Sequence, residues 1–182
     1  MAVVTVLPRD HRWTVADLAT LPDDGLRYEL VDGTLLVSAA PSKLHQRAVG
    51  NLYVLLRAAC PAELEVFLAP TDYQPTTTRS FQPDVLVVSR ADPGNAAVTT
   101  PLALAVEVMS PSSRSIDAVL KREMYQQAGV AQYWLVDPEE PSVTVWTATG
   151  GQYTDPQVIA GDDVLELASP LPVVLRPSDL LR

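Results

Sequence analysis

The residues that could do chemistry lie between Pro83 and Asp137. Asp84 follows a proline and opens the apolar run Val85-Leu86-Val87-Val88, while Glu107 sits inside Leu104-Ala105-Val106-Glu107-Val108-Met109. Lys121 and Tyr125 fall on the segment that comes next. A carboxylate in a strand buried on both faces is costly unless a positive group neutralises it. A divalent metal ion is the functional answer, and a buried lysine or arginine is the structural one. Two carboxylates at the ends of adjacent strands can hold a hard cation such as magnesium, which takes one or two carboxylates plus water and substrate phosphate. Such an ion lowers the pKa of bound water and offsets charge growing on a phosphoryl group. A lysine nearby can place the attacking water and stabilise the same charge.

These side chains need strands and a helix to position them. Alternation along the second strand puts Leu102, Leu104, Val106 and Val108 on one face, and Ala103, Ala105, Glu107 and Met109 on the other. Both faces are apolar apart from Glu107, as in a strand sandwiched between layers. After Ser110-Pro111-Ser112-Ser113 the spacing predicts a helix to about Ala128, with Gly129 at its left-handed end. Strands are predicted at Gln132 to Val136 and Ser142 to Thr147, with Gly150-Gly151 turning the chain toward Tyr153.

Upstream, Thr14 to Leu21 reads as a short capped helix. Leu26 to Val31 and Thr34 to Ser38 read as a hairpin around Asp32-Gly33. A long helix follows Pro41-Ser42, carries Leu44, Ala48, Leu52, Leu55 and Ala59 at helical spacing, and stops at Pro61. Strands at Glu63 to Leu68 and Asp84 to Ser89 complete the centre, while the polar Thr76 to Ser80 and Ala91 to Thr100 segments read as loops. The tail from Val158 holds short strand-like runs and a helical turn at Pro177 to Leu181. The reading is one α/β domain over 1–182, a central mixed sheet flanked by helices.

The composition, 47% hydrophobic and 19% charged, is that of an ordinary globular chain. The lone Cys60 excludes an internal disulfide framework and suits a reducing, cytoplasmic location. No run approaches the length of a membrane span. Acids outnumber bases by 22 to 13, a net charge of −9 that counts against a protein coating nucleic acid non-specifically. An acidic, metal-dependent nuclease site is compatible with that balance.

The order Pro-Asp strand, Val-Glu-Val-Met-Ser-Pro-Ser, Lys121 with Tyr125 four residues on, and Gly-Val-x-x-Tyr-Trp-x-Val-Asp-Pro resembles the Uma-type endonuclease family. That family lies in the restriction-endonuclease-like, PD-(D/E)XK superfamily. The likeness runs from about Thr14 to the tail and includes Arg27-Tyr28-Glu29-Leu30-Val31-Asp32-Gly33, His45-Gln46-Arg47 and the Ser-Pro-Leu near Ser169. It implies a restriction-endonuclease-like core, Asp84 and Glu107 as metal ligands, and Glu29 as an additional acid. The superfamily's lysine two residues after the second acid is replaced by Met109, and the resemblance transfers its role to Lys121 on the following helix. The implied activity is hydrolysis of a DNA phosphodiester by a water activated on Mg²⁺, with Mn²⁺ as a substitute. A homodimer is implied because two sites are needed to cut both strands of a duplex. His45 and Tyr125 stand as accessory residues.

Each of these residues also has a structural reading. Glu107 can belong to an ion pair and Asp84 to a strand-edge turn. Lys121 can pair with Asp117 four residues before it on a helix surface. His45 shares a face with Val49, Leu52 and Leu56 and can be a core histidine, and Tyr125 can simply pack. Tyr133 and Trp134 read as core aromatics, and Asp137 as a turn residue before Pro138. Two rival functions remain at this point: a catalytically silent binding module of the same fold, favoured by the net charge and Met109, and a hydrolase of small phosphoesters. A basic groove toward the acids would favour DNA, with Lys43, Arg47, Arg57, Arg79, Arg114 and Arg122 as its candidates.

Overall fold

The computed structural model describes residues 5–7, 12–38, 40–110 and 116–182. Strand β1 (Thr5–Leu7) pairs antiparallel with residues 35–37. Helix α1 (Val15–Leu18) is shorter than the expected Thr14 to Leu21. Its start is fixed by Asp17 Oδ2, which accepts from the Thr14 amide at 2.8 Å. Its end tightens into three-residue turns, with Thr20 N donating to Asp17 O and Leu21 N to Leu18 O. Strands β2 (Arg27–Val31) and β3 (Thr34–Ser38) form the expected hairpin. Asp32 and Gly33 take φ of 48° and 81°, the paired left-handed residues that a two-residue hairpin turn needs.

Helix α2 (Lys43–Ala59) begins where the Ser42 side chain accepts from the His45 amide at 3.2 Å, and stops before Pro61. It buries His45, Ala48, Val49, Leu52 and Leu56 on one stripe. The Asp117 alternative for Lys121 rests on a side chain outside the described residues, as does Arg114 of the basic candidates. Strand β4 (Leu64–Leu68) precedes a hairpin of β5 (Tyr73–Thr76) and β6 (Arg79–Phe81). This hairpin corrects the loop expected over Thr76 to Ser80. The threonine-rich stretch is its turn, and β6 docks on β2 through Leu30 and Ser80, a long-range contact that local composition does not encode. The resulting five-stranded sheet has the order β1-β3-β2-β6-β5.

The larger sheet is built from β4, β7 (Val85–Ser89), β8 (Leu104–Val108), β9 (Gln132–Asp137), β10 (Ser142–Thr149) and β11 (Gln152–Tyr153). Its order is β11-β10-β9-β8-β7-β4, with β12 (Gln157–Ala160) also on β10. Only β8 and β9 run parallel among these ladders, so the sheet is mixed as expected. A parallel pair cannot be closed by a tight turn and needs a crossover. That crossover carries a π-helix, Ile116–Lys121, running into α3 (Arg122–Gln127). Strands β13 (Leu165–Leu167) and β14 (Val173–Leu175) pair separately, and a 3-10 turn, Pro177–Leu181, follows.

Both faces of β8 are buried along its whole length. On one face Leu104, Val106 and Val108 pack with Leu52 and Leu56 of α2, Trp134, and Leu171 and Val173 of the tail. On the other, Ala105 joins Phe81, Leu86, Tyr125 and Tyr133. Leu102 belongs to this second group rather than with Leu104, because regular pleating starts only at Leu104. Tyr133 and Trp134 are core aromatics, and Cys60 is a free thiol packed at the rim of the first group. Among the described residues no helix is long and apolar enough to cross a membrane.

Candidate functional site

Strand β7 begins one residue after Asp84, and its last pairing with β8 is Val85 with Val106. Beyond that pair Pro83 has no N–H to offer, so the ladder ends and a side chain takes over. Asp84 Oδ2 accepts the Val108 amide at 2.8 Å. The same oxygen accepts His45 Nε2 at 3.1 Å, and Oδ1 accepts Arg27 Nη2 at 2.8 Å. A carboxylate only accepts, so His45 Nε2 is the donor; Nδ1 is buried without a hydrogen-bond partner among the described residues.

Glu107 shares its face of β8 with the small Ala105. Its Oε1 accepts Lys121 Nζ at 3.0 Å and the Tyr125 hydroxyl at 2.6 Å. Lys121 closes the π-helix and Tyr125 lies in the α-helical turn after it, so both reach one carboxylate oxygen across the junction. π-turns recur at functional sites for this kind of re-aiming. Lys121 Nζ is also 3.0 Å from Glu29 Oε1, which in turn accepts the Gln82 amide at 2.9 Å. Arg27 and Glu29 are two apart on β2 and so share a face.

The structure therefore brings Glu29, Asp84, Glu107, Lys121, His45 and Tyr125 into one buried cluster. Sequence reasoning overlooked Arg27 as a member. Its signal was present: an arginine two residues before Glu29, on the same face of a strand. Glu107 resolves into the ion-pair geometry that was its structural alternative, with Lys121 as the buried cation. Asp137 is a turn residue, its Oδ1 accepting the Glu139 and Glu140 amides at 2.9 and 3.2 Å.

Burial alone would push the Asp84 carboxyl up. The His45 hydrogen bond and the Arg27 charge outweigh it and hold the group well below its ordinary 3.8. Burial opposes the charge on Arg27, yet Asp84, Glu29 and Glu107 together hold its guanidinium more firmly protonated than usual. Burial and the Glu107 charge push the Tyr125 phenol well above its ordinary range, so it stays a hydrogen-bond donor.

Among the described residues three buried carboxylates, Glu29, Asp84 and Glu107, lie with the basic side chains of Arg27 and Lys121. Among the described residues no three His, Cys, Asp or Glu side chains converge on one ion position. Magnesium takes only one or two carboxylates, a number that the pair Asp84 and Glu107 expected from the sequence would meet.

The basic candidates are partly committed elsewhere. Arg79 bonds Asp32 at 2.5 Å and Gln127 at 2.6 Å, Arg122 lies 5.7 Å from the Trp146 ring centre, and Arg47 donates to Leu181 O at 3.3 Å. Lys43 and Arg57 are exposed.

Comparison with known proteins finds a family model and solved structures that resemble the chain. The model of the Uma2 family, described as "Putative restriction endonuclease", matches residues 15–178. A crystal structure from Anabaena variabilis, titled "a putative nuclease belonging to DUF820", superposes with a TM-score of 0.74 at 18% identity. The superposition covers 92% of this chain and 97% of that one, and the two share a fold. No curated protein matches the chain.

Proposed function

The chain belongs to the Uma2 family, and on that premise we propose that it is a metal-dependent endodeoxyribonuclease, a single restriction-endonuclease-like unit over 1–182. The observation that carries the reading is the buried convergence of Glu29, Asp84, Glu107 and Lys121. Pairing alone does not require three carboxylates, since Arg27 and Lys121 need only one partner each.

Asp84 and Glu107 would hold Mg²⁺, with Mn²⁺ as a substitute. When bound, such an ion lowers the pKa of its water and offsets charge on the phosphoryl group. The other roles fall to the protein's own side chains. The Val108 amide and His45 fix the orientation of Asp84, and the Tyr125 hydroxyl fixes Glu107. Glu29 and Glu107 hold the Lys121 amine between them, where it would orient the attacking water and stabilise the charge that develops on the phosphate. DNA is the substrate in this reading, two copies act together on the two strands, and the location is cytoplasmic.

The test is conversion of supercoiled plasmid to nicked and linear forms with Mg²⁺ or Mn²⁺, run beside Glu107→Gln and Lys121→Met. The parent should cut and both variants should not. Equal cutting by all three would assign the activity to a contaminant and remove these residues from the reaction. A second reading, a silent binding module, is favoured by Arg27 and Lys121 already neutralising two of the three carboxylates. A well-folded parent that neither cuts DNA nor binds Mn²⁺ would establish it.

A further inference from the structure

Arg27 differs from its neighbours in the cluster by reaching solvent. Its side chain is 23% exposed, against 3% for Asp84, 7% for His45 and 4% for Lys121. Of the two basic side chains described in the cluster, Arg27 is the more accessible to an approaching anion. The two oxygens of Asp84 are also unequal. Oδ2 is tied inward, to the Val108 amide and His45, whereas Oδ1 is held by Arg27. Oδ1 is thus the oxygen that an incoming cation would use, and a positive group already occupies it. A divalent ion at that oxygen and a guanidinium beside it repel each other. A displaced arginine has an obvious alternative partner, because its planar fork matches the oxygens of a phosphate in two parallel hydrogen bonds.

We propose that Arg27 is an exchangeable counterion: it holds Asp84 Oδ1 in the unloaded protein, yields that oxygen to a divalent cation, and turns to a phosphate of the bound nucleic acid. The exchange rests on the metal-dependent nuclease reading and adds to it a residue that couples ion loading to substrate capture. It makes the two ligands cooperative. A phosphate that draws the guanidinium away frees Oδ1, and an ion on Oδ1 frees the guanidinium.

The experiment is calorimetric titration of the full chain with Mn²⁺ alone, comparing the parent with Arg27→Gln. It is joined to fluorescence anisotropy of a labelled phosphorothioate duplex, slow to be cleaved, at saturating Mn²⁺. Removing the competing charge should tighten Mn²⁺ binding about tenfold, while losing the phosphate contact should weaken duplex binding by about the same factor. Opposite shifts are the signature, since a merely structural arginine would move both affinities the same way. Mn²⁺ binding that is unchanged or weaker in Arg27→Gln overturns the exchange and leaves the nuclease reading standing. Tighter Mn²⁺ binding with unchanged duplex binding also overturns it. No Mn²⁺ binding by either protein overturns the metal reading and the exchange with it. Should Arg27→Gln fail to fold, the Arg27 Nε–H resonance of the parent decides during a Mg²⁺ titration. A shift that follows ion occupancy supports the exchange, and a signal that stays put while the ion binds refutes it.

Discussion

Replacing Lys121 with methionine tests the electrostatics of the cluster most directly. Nζ lies 3.0 Å from Glu29 Oε1 and 3.0 Å from Glu107 Oε1, with all three side chains at most 4% exposed. At an effective dielectric constant of about 20, each such contact is worth about 5 kcal/mol of gross attraction. Much of that offsets the cost of taking the charges out of water. What methionine exposes is the uncompensated remainder, two buried carboxylates with no cation between them. Breaking a buried pair from one side costs about 3–5 kcal/mol, a large share of the roughly 5–15 kcal/mol that holds a typical domain together. Urea unfolding at neutral pH measures this through the transition midpoint, with the slope checked for constancy. The cycle with Glu107→Gln sharpens it. The double variant should be less destabilised than the sum of the singles by about 0.5–3 kcal/mol, because the second change removes a charge that the first left stranded. Loss of less than about 1 kcal/mol in Lys121→Met, or strict additivity, would refute the picture of one amine neutralising two buried acids.

Tyr125→Phe removes a 2.6 Å hydrogen bond to Glu107 without changing the ring that packs against Phe81 and Tyr133, and should cost about 1.5–3 kcal/mol, read by the same urea titration. Acid should destabilise the parent through Asp84. Its folded-state pKa lies below the ordinary 3.8, so its contribution is complete above about pH 4 and drains away as the pH falls toward the folded value. One such group contributes a slope of at most about 1.4 kcal/mol per pH unit. Asp84→Asn should flatten the stability curve below pH about 4 by up to that amount, and identical acid slopes in the two proteins would exclude Asp84 as a source.

Where local chemistry decides the structure, the sequence was readable. Asp32-Gly33 can hardly be anything but a tight hairpin turn, and Ser42 with Pro61 brackets α2. The apolar runs of β7, β8 and β9 announce strands covered on both sides. Glu107 was legible as an anomaly for the same reason. The features that escaped depend on distance along the chain or on small changes of pitch. The β5–β6 hairpin has a polar turn like any loop, and it becomes a sheet only because β2 offers Ser80 a partner at Leu30. The π-helix ending at Lys121 differs from an α-helix by one residue in the span of its backbone hydrogen bonds, too little for a short apolar stripe to reveal. Arg27 passed unnoticed because an arginine on a hairpin is ordinarily a surface residue; only the position of Asp84 against it makes it part of the cluster.

The cluster is also a knot in the order of folding. Its hydrogen bonds join residues 57 apart (Arg27 to Asp84), 53 apart (Glu29 to Gln82), 39 apart (His45 to Asp84) and 24 apart (Asp84 to Val108). Each is a loop whose closure entropy is spent before the contact returns anything, and topologies rich in such contacts fold slowly. During synthesis from the N-terminus, Arg27, His45 and Asp84 emerge before Glu107, and Lys121 with Tyr125 comes later still. A partly made chain therefore has the outer half of the cluster, with Arg27 available to hold Asp84, and lacks the amine that completes it. The parallel step from β8 to β9 sets the final condition: the crossover must pack before Lys121 can enter. Any activity housed in this cluster would switch on only with the whole fold.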